Sequence, residues 1–196
     1  MKRKYQSTQK RSAIKLICLI TGLILLALAT QSFALLPSHA LRQNEQQCAQ
    51  GRTKPAVAHY DRDMSQNVIV SYNSDTLLCS VSRFTYLGWT NCGGSTMAFA
   101  DGPVTVGRFT GGYGEKRYVY VFGRVTDPRV AAVSAKLVDN GGSGPVKLDI
   151  AAQKTVEGKL YFLVKYYSAV NKAGSQTCAL SFSDADGGML YFKKTP

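Results

Sequence analysis

The sequence predicts an all-β protein, an antiparallel sandwich or partly closed barrel of about ten short strands preceded by one N-terminal hydrophobic helix. Three observations lead to this fold class. A single apolar run lies near the N-terminus, at Leu16–Leu36. After Leu41, short runs rich in Val, Tyr, Phe and Leu are separated by turn residues, as at Asp127-Pro128 and Asp186-Gly187-Gly188. No stretch after Leu41 keeps an amphipathic helical period, which leaves sheet as the main element.

The apolar run is the first element. Six of the 24 basic residues lie in Lys2–Lys15, and the 21 residues of Leu16–Leu36 carry no charge. A helix needs about 20 apolar residues to span hydrocarbon, so the run fits a transmembrane anchor. Its core, Leu16–Ala29, also has the length of a signal-peptide core, and small residues would allow cleavage after Ala34 or Ala40. Both alternatives stay open, with the uncleaved anchor favoured, its N-terminus inside and the rest of the chain outside.

The pattern divides the chain into four segments. Residues 1–15 form a basic cytoplasmic region, and residues 16–36 form the anchor or signal-peptide core. Residues 37–66 are polar, with neither a helical stripe nor a clear strand, and are predicted to be a stalk or an irregular segment. Residues 67–196 form the extracytoplasmic β-domain.

The strands of that domain are predicted from β-branched and aromatic runs between turn signals. They are Val68–Tyr72, Thr76–Ser82, Phe84–Trp89, Thr96–Phe99, Val104–Thr110, Arg117–Thr126, Val130–Val138, Val146–Ala152, Leu160–Tyr167, Thr177–Ser183 and Met189–Lys193. The phase is clearest where Val146, Leu148 and Ile150 alternate with Lys147 and Asp149. This alternation predicts a strand with one buried face and one face in water.

The net charge of +12 is not a nucleic-acid signal. Without the six basic residues of Lys2–Lys15, the chain keeps 18 basic and 12 acidic residues, and its longest basic run after Leu41 is Lys193-Lys194. The sequence therefore predicts no nucleic-acid partner. It favours contact with a membrane, an envelope protein or an anionic cell-wall polymer.

Four cysteines follow the apolar run, and an even number in an exported domain predicts two disulfides. Strand phase suggests the pairing. Cys79 shares a strand face with Leu77 and Val81, and Cys178 shares one with Leu180 and Phe182. If these faces meet, Cys79 pairs with Cys178 and leaves Cys48 to pair with Cys92.

Catalytic and metal-binding patterns are absent, so the sequence predicts a protein that is not an enzyme and has no cofactor. Only two histidines, His39 and His59, are available as general bases, and neither lies near a cysteine that could share a metal. Asp184-Ala185-Asp186 resembles the opening of a calcium loop but lacks the distal glutamate, which favours a hairpin turn.

One segment has a recognisable order of predicted elements. Val119–Val133 reads as an apolar strand, a glycine, an Asp-Pro turn and a second strand, with Tyr86-Leu87-Gly88-Trp89 upstream. Together these motifs resemble small exported or single-span β-domain proteins of uncharacterised function from Gram-positive bacteria. The resemblance implies an exported β-domain and carries no functional residues.

Aromatic residues remain as the functional signal. The chain has eleven tyrosines and one tryptophan, Trp89. Tyr86, Trp89 and Tyr113 lie at strand ends or in glycine-rich turns and form the candidate binding surface. We therefore predict a non-enzymatic extracytoplasmic interaction or structural module, membrane-tethered or secreted. The alternative is an inhibitor or sensor domain that binds a secreted or envelope protein through loops near Trp89.

Overall fold

The computed structural model describes residues 2–29, 34–48, 51–86, 88–113, 116–139, 146–169 and 176–195. Within these residues two helices, α1 (Lys2–Ala29) and α2 (Pro37–Gln47), precede twelve strands. The strands are β1 (Lys54–Asp61), β2 (Gln66–Tyr72), β3 (Thr76–Thr85), β4 (Gly88–Ala98), β5 (Val104–Tyr113), β6 (Lys116–Val125), β7 (Ala132–Asp139), β8 (Val146–Leu148), β9 (Ile150–Val156), β10 (Lys159–Ala169), β11 (Gln176–Ser183) and β12 (Met189–Thr195).

The strands form three four-stranded sheets, and every pair within them is antiparallel. The first sheet has the order β1-β2-β3-β4, the middle sheet β5-β6-β10-β9, and the third sheet β12-β11-β7-β8. The predicted antiparallel β fold is confirmed at this level. Among the described residues, the strand orders leave the edges of each sheet without a hydrogen-bonded neighbouring strand, and the partly closed barrel stays a prediction.

The middle sheet is buried on both faces. Side chains of β6 alternate, with Tyr120 and Phe122 facing a core shared with the first sheet. Val119 and Val121 face a second core, shared with the third sheet. An antiparallel sheet covered on both sides needs apolar residues at nearly every position, which explains the continuous apolar runs of β6 and β10. The fold is therefore a stack of three sheets with two cores.

Glycines opposite aromatic residues allow the middle sheet to accommodate large rings. Gly107 pairs with Phe122, and a methyl group at Gly107 would lie 2.5 Å from that ring. Gly123 pairs with Phe162, and a Cβ there would also lie 2.6 Å from the backbone oxygen of Thr105. Each ring thus occupies the space that a cross-strand side chain would fill.

Helix α2 packs against the outer face of the first sheet through polar contacts. The Glu45 carboxylate is buried and accepts hydrogen bonds from the Thr53 backbone N–H at 2.7 Å and from Arg42 at 2.6 Å. Asn44 donates to the Ser80 hydroxyl of β3. The prediction that residues 37–66 form a stalk or irregular segment is therefore wrong. This segment contains α2 and β1, and its helix lacks an apolar stripe because hydrogen bonds supply much of its contact with the sheet.

The apolar side chains described in α1, from Ile14 to Leu26, are exposed. Ile17, Leu19 and Leu26 each present about 61–62% of their surface to solvent. Among the described residues, no helix is long and apolar enough to cross a membrane. The membrane anchor and the signal peptide both stay predictions.

Cys79, Cys92 and Cys178 are free thiols, so neither predicted disulfide is formed. Cys79 lies in the core between the first and middle sheets, whereas Cys178 lies in the core between the middle and third sheets. Cys48 packs on the outer face of the first sheet, and Cys92 borders the core between the first and middle sheets. The phase argument identified buried faces correctly, but these faces point into different cores.

Candidate functional site

The outer face of the first sheet carries a group of aromatic side chains that are exposed except for Trp89, which is half-buried. Tyr60 lies at the end of β1, Phe84 near the end of β3 and Trp89 at the start of β4. The Trp89 ring meets Phe84 at a centroid distance of 5.4 Å and Tyr60 at 6.2 Å, both edge to face. Tyr86, in the turn between β3 and β4, is fully exposed. We call these four residues the aromatic patch.

The patch remains open although α2 covers part of the same sheet face. Tyr60 and Phe84 are 48% and 54% exposed. By contrast, Ile69 and Leu78 are buried beneath Leu41 of α2. Large aromatic side chains left in solvent beside a covered part of a sheet are typical of interaction surfaces.

Backbone pairing fixes the position of Trp89. Ala34 forms an isolated antiparallel bridge with Trp89, with N–O distances of 2.5 and 2.6 Å in the two directions. The Thr85 hydroxyl donates to the Gly88 carbonyl at 2.9 Å and closes the turn before β4. Rings on a hydrogen-bonded sheet lose little conformational freedom on binding, which favours affinity.

A shallow depression adjoins the patch. It encloses about 510 Å³ and is lined mainly by the turn after β1 and the end of β3, including Met64, Phe84 and Tyr86. Its lining mixes apolar residues with the charged residues Asp63 and Arg83, and such mixed surfaces are common in protein–protein contacts. The depression and the patch together can accept an apolar side chain of a partner.

A buried ionic network lies behind this surface and connects two sheets. Asp61, at the end of β1, is 2% exposed and pairs with Lys165 of β10 at 2.6 Å. The hydroxyls of Tyr167 and Tyr120 lie 3.1 and 3.2 Å from Asp61 Oδ2. Tyr120 also lies 3.2 Å from Gln66 Oε1. These contacts fix the β1–β2 hairpin next to Tyr60.

The pairing of opposite charges, rather than burial, decides the protonation states of Asp61 and Lys165. Burial acts to raise the pKa of Asp61, but hydrogen bonding to Lys165 and its charge outweigh burial, so that pKa is lowered. Burial acts to lower the pKa of Lys165, and contact with Asp61 raises it instead. Burial, followed by the Asp61 charge, raises the pKa of Tyr120 far above its usual range. The network is therefore a fixed carboxylate–ammonium pair at neutral pH.

This arrangement is suited to structure rather than to proton transfer. The Asp61 carboxylate is enclosed by its partners, so it cannot reach a substrate while these contacts persist. Over the part of the chain that the structure describes, no group of three or more His, Cys, Asp or Glu side chains could hold a metal ion. What the region offers a ligand is the aromatic patch.

The structure brings together two of the three predicted binding residues. Trp89 and Tyr86 both belong to the aromatic patch. Tyr113 lies at the end of β5 in the middle sheet, paired with Lys116, and its side chain lies outside the described part. Sequence reasoning missed Tyr60 and Phe84. Phe84 shares its face of β3 with Ser80 and Ser82, so the signal for its outward orientation was present in the strand phase.

Comparison with known proteins adds one distant likeness. No family model matches the chain, and no curated protein matches it. Among solved structures the chain is similar to a "Marsupial T cell receptor", with 10% sequence identity, a TM-score of 0.35, and coverage of 70% of this chain and 76% of that chain. A similarity of this size assigns neither a family nor a function.

Proposed function

We propose that this chain is a non-enzymatic extracytoplasmic interaction module that binds an envelope protein through the aromatic patch. The observation that supports this most directly is the edge-to-face contact of Trp89 with Phe84 and Tyr60 on an open sheet face. Aromatic anchors of this kind contribute a large share of the binding energy in protein interfaces. Helix α1 acts as the membrane anchor, or as a signal peptide that is removed.

Chain geometry supports a location for the patch near the membrane if α1 is retained. Ala29 ends α1, and Ala34 is paired with Trp89. Five residue steps span at most about 18 Å, so the patch lies close to the end of the helix. A partner embedded in or resting on the membrane would be within reach.

Export is tested on the full chain. We expect the chain in the membrane fraction of a bacterial host, with its intact mass unchanged and the β-domain digestible by protease added outside the cytoplasmic membrane. A shortened chain in the periplasm or medium would support the secreted form. A chain that is protected from the added protease, and digested only after the membrane is disrupted, would overturn the proposal of an extracytoplasmic domain.

Binding is tested by photo-crosslinking in the cells that make this chain. A photoreactive residue in place of Tyr86 should form a discrete adduct with an envelope protein. A photoreactive residue in place of Phe192 is the matched control, because Phe192 is 55% exposed on β12. The Phe84→Ser variant should reduce the Tyr86 adduct while the chain stays folded. Equal adducts from both positions, or a Tyr86 adduct that is indifferent to F84S, would overturn the role of the patch.

An inhibitor or sensor domain is the second candidate, favoured by Tyr86. This ring is fully exposed at the tip of the β3–β4 turn, where it can enter a cleft of a partner. The identity of the crosslinked protein separates the two functions. A secreted enzyme whose activity falls on binding would favour the inhibitor, and a structural envelope protein would favour the module.

A further inference from the structure

A cationic cleft lies at the opposite end of the sheets from the aromatic patch. Strand β1 begins at Lys54 beside the cleft and ends at Asp61 beside the patch, a span of seven residue steps or about 23 Å. The cleft encloses about 490 Å³. Its charged lining residues are Arg52, Lys54, Arg124, Glu157 and Lys159. They come from the segment before β1, from β1 itself, from β6, from the β9–β10 turn and from β10.

The single carboxylate of this lining already has partners. Glu157 lies 3.6 Å from Lys54, and a hydrogen bond with Glu157 contributes, after burial, to the raised pKa of Tyr72. Among the described residues, no carboxylate lies within ion-pair distance of Arg52, Arg124 or Lys159. Three cations therefore face one cleft without a protein counter-charge.

Arg124 is held in place before any ligand arrives. Its guanidinium carbon lies 3.3 Å from the centroid of the Phe99 ring, and its Nε is buried without a hydrogen-bond acceptor. Burial lowers the pKa of Arg124, because the surroundings compensate the charge only in part. The buried Nε cannot reach a ligand, so an oxyanion in the cleft would bind the terminal nitrogens of this stacked guanidinium.

We infer that the cationic cleft binds a ligand that carries several phosphate groups in a row. The Arg52 and Lys159 side chains are able to contact neighbouring phosphates while Arg124 binds one of them from the cleft wall. One isolated phosphate would engage only part of this spread of cations. The inference goes beyond the proposed function and does not depend on the aromatic patch, which lies at the other end of β1.

The test is a titration of the full chain in zwitterionic detergent with tripolyphosphate, followed by calorimetry and by amide chemical shifts. We expect saturable binding with one ligand per chain, shifts centred on residues 52–54 and 157–159, and affinity about tenfold weaker for inorganic phosphate. The Arg52→Gln/Lys159→Gln double variant should weaken tripolyphosphate binding at least about tenfold.

The matched control removes the same charge elsewhere. Lys136 and Lys147 are exposed cross-strand neighbours in the third sheet, and their double replacement by Gln should change affinity less than about twofold. Equal losses in the two double variants, or no saturation, would show general electrostatic attraction and overturn the site. Phosphatidylglycerol vesicles that compete with tripolyphosphate, in a manner that requires Arg52 and Lys159, would confirm the phosphate site and assign its source to lipid headgroups rather than to a polymer.

Discussion

Lys165 Nζ lies 2.6 Å from Asp61 Oδ2, so one ion pair joins β10 of the middle sheet to β1 of the first sheet. The carboxylate is 1% exposed and the lysine side chain 14% exposed. Without Lys165 the Asp61 carboxylate would be a buried charge with no counter-charge, whereas Lys165 has a second carboxylate, that of Asp63, at 3.9 Å.

Replacement of Lys165 by Met should therefore lower the free energy of unfolding by about 2 kcal/mol. Asp61 would keep its tyrosine hydrogen bonds and lose its counter-charge. The measurement is urea unfolding of the full chain in detergent. Lys154→Met is the control, because Lys154 is exposed on the neighbouring strand β9 and should change stability by less than about 0.5 kcal/mol. Similar losses in the two variants would contradict the role of the pair.

The same pair predicts a pH dependence. The lowered pKa of Asp61 means that its stabilising contribution is present above the pKa of the unfolded carboxyl and is lost as pH falls through the lower folded pKa. The raised pKa of Lys165 means that its contribution is present below the unfolded value and is lost as pH rises through the higher folded pKa. We expect a stability plateau between about pH 4 and pH 10. In the Asp61→Asn variant, the free energy of unfolding should fall less as the pH is lowered below about 4. The same fall in the variant and the parent chain would contradict this role of Asp61.

Replacement of Gly123 by Ala should destabilise the middle sheet by about 2 kcal/mol. The new methyl group would overlap the Phe162 ring and lie 2.6 Å from a backbone oxygen, which cannot move without shifting β5. Thermal unfolding of the two variants compares this change with Gly102→Ala, where no atom lies within 4 Å of the new methyl group. Equal melting temperatures would show that Phe162 does not need the space above Gly123.

Replacement of Glu45 by Ala should release α2 from the first sheet, with a loss of about 2 kcal/mol, because the Thr53 backbone N–H and hydroxyl would lose their buried acceptor. Amide hydrogen exchange of residues 37–47 should accelerate in this variant. Gln46→Ala, at the exposed neighbouring position, should leave exchange unchanged. Unchanged protection in E45A would mean that apolar contacts alone hold the helix.

Alkylation after denaturation without a reductant should label five thiols, because neither predicted disulfide is formed. In the folded chain, Cys79 and Cys178 should resist labelling. Both are buried, and burial raises the pKa of Cys178 to about 11 and that of Cys79 further. Intact mass counts the labels. A single label after denaturation would restore the two predicted disulfides.

Strand positions were largely predictable, whereas their layering was not. The bounds of β2, β6, β10 and β11 lie within two residues of the predicted ones because alternation and turn residues are local signals. The predicted strand at Phe84–Trp89 instead covers a turn, since β3 continues to Thr85 and β4 begins at Gly88. Which face meets which sheet depends on contacts distant in sequence, and this is why the inferred pairing of Cys79 with Cys178 was wrong.

Strand β1 and the Asp61 network were not predicted from the sequence. Strand β1 was missed because its small residues and its proline, Pro55, weaken the strand pattern. The Asp61 network was missed because its members come from four strands, and no local pattern connects Asp61 with Lys165 and Tyr120. Trp89 and Tyr86 were predictable because aromatic residues beside a glycine turn form a local signal.

The bridge between Ala34 and Trp89 places folding of the first sheet in competition with cleavage of the N-terminal leader. Ala34 is 2% exposed and paired, and Ala40 is fully buried within α2, so both predicted cleavage sites belong to the folded structure. A protease needs an extended, accessible backbone, which neither site offers once the first sheet has formed. Removal of the leader would therefore have to occur before β4 pairs with Ala34. A chain that folds first would keep its leader, so the relative speed of the two events would decide between a tethered and a released protein.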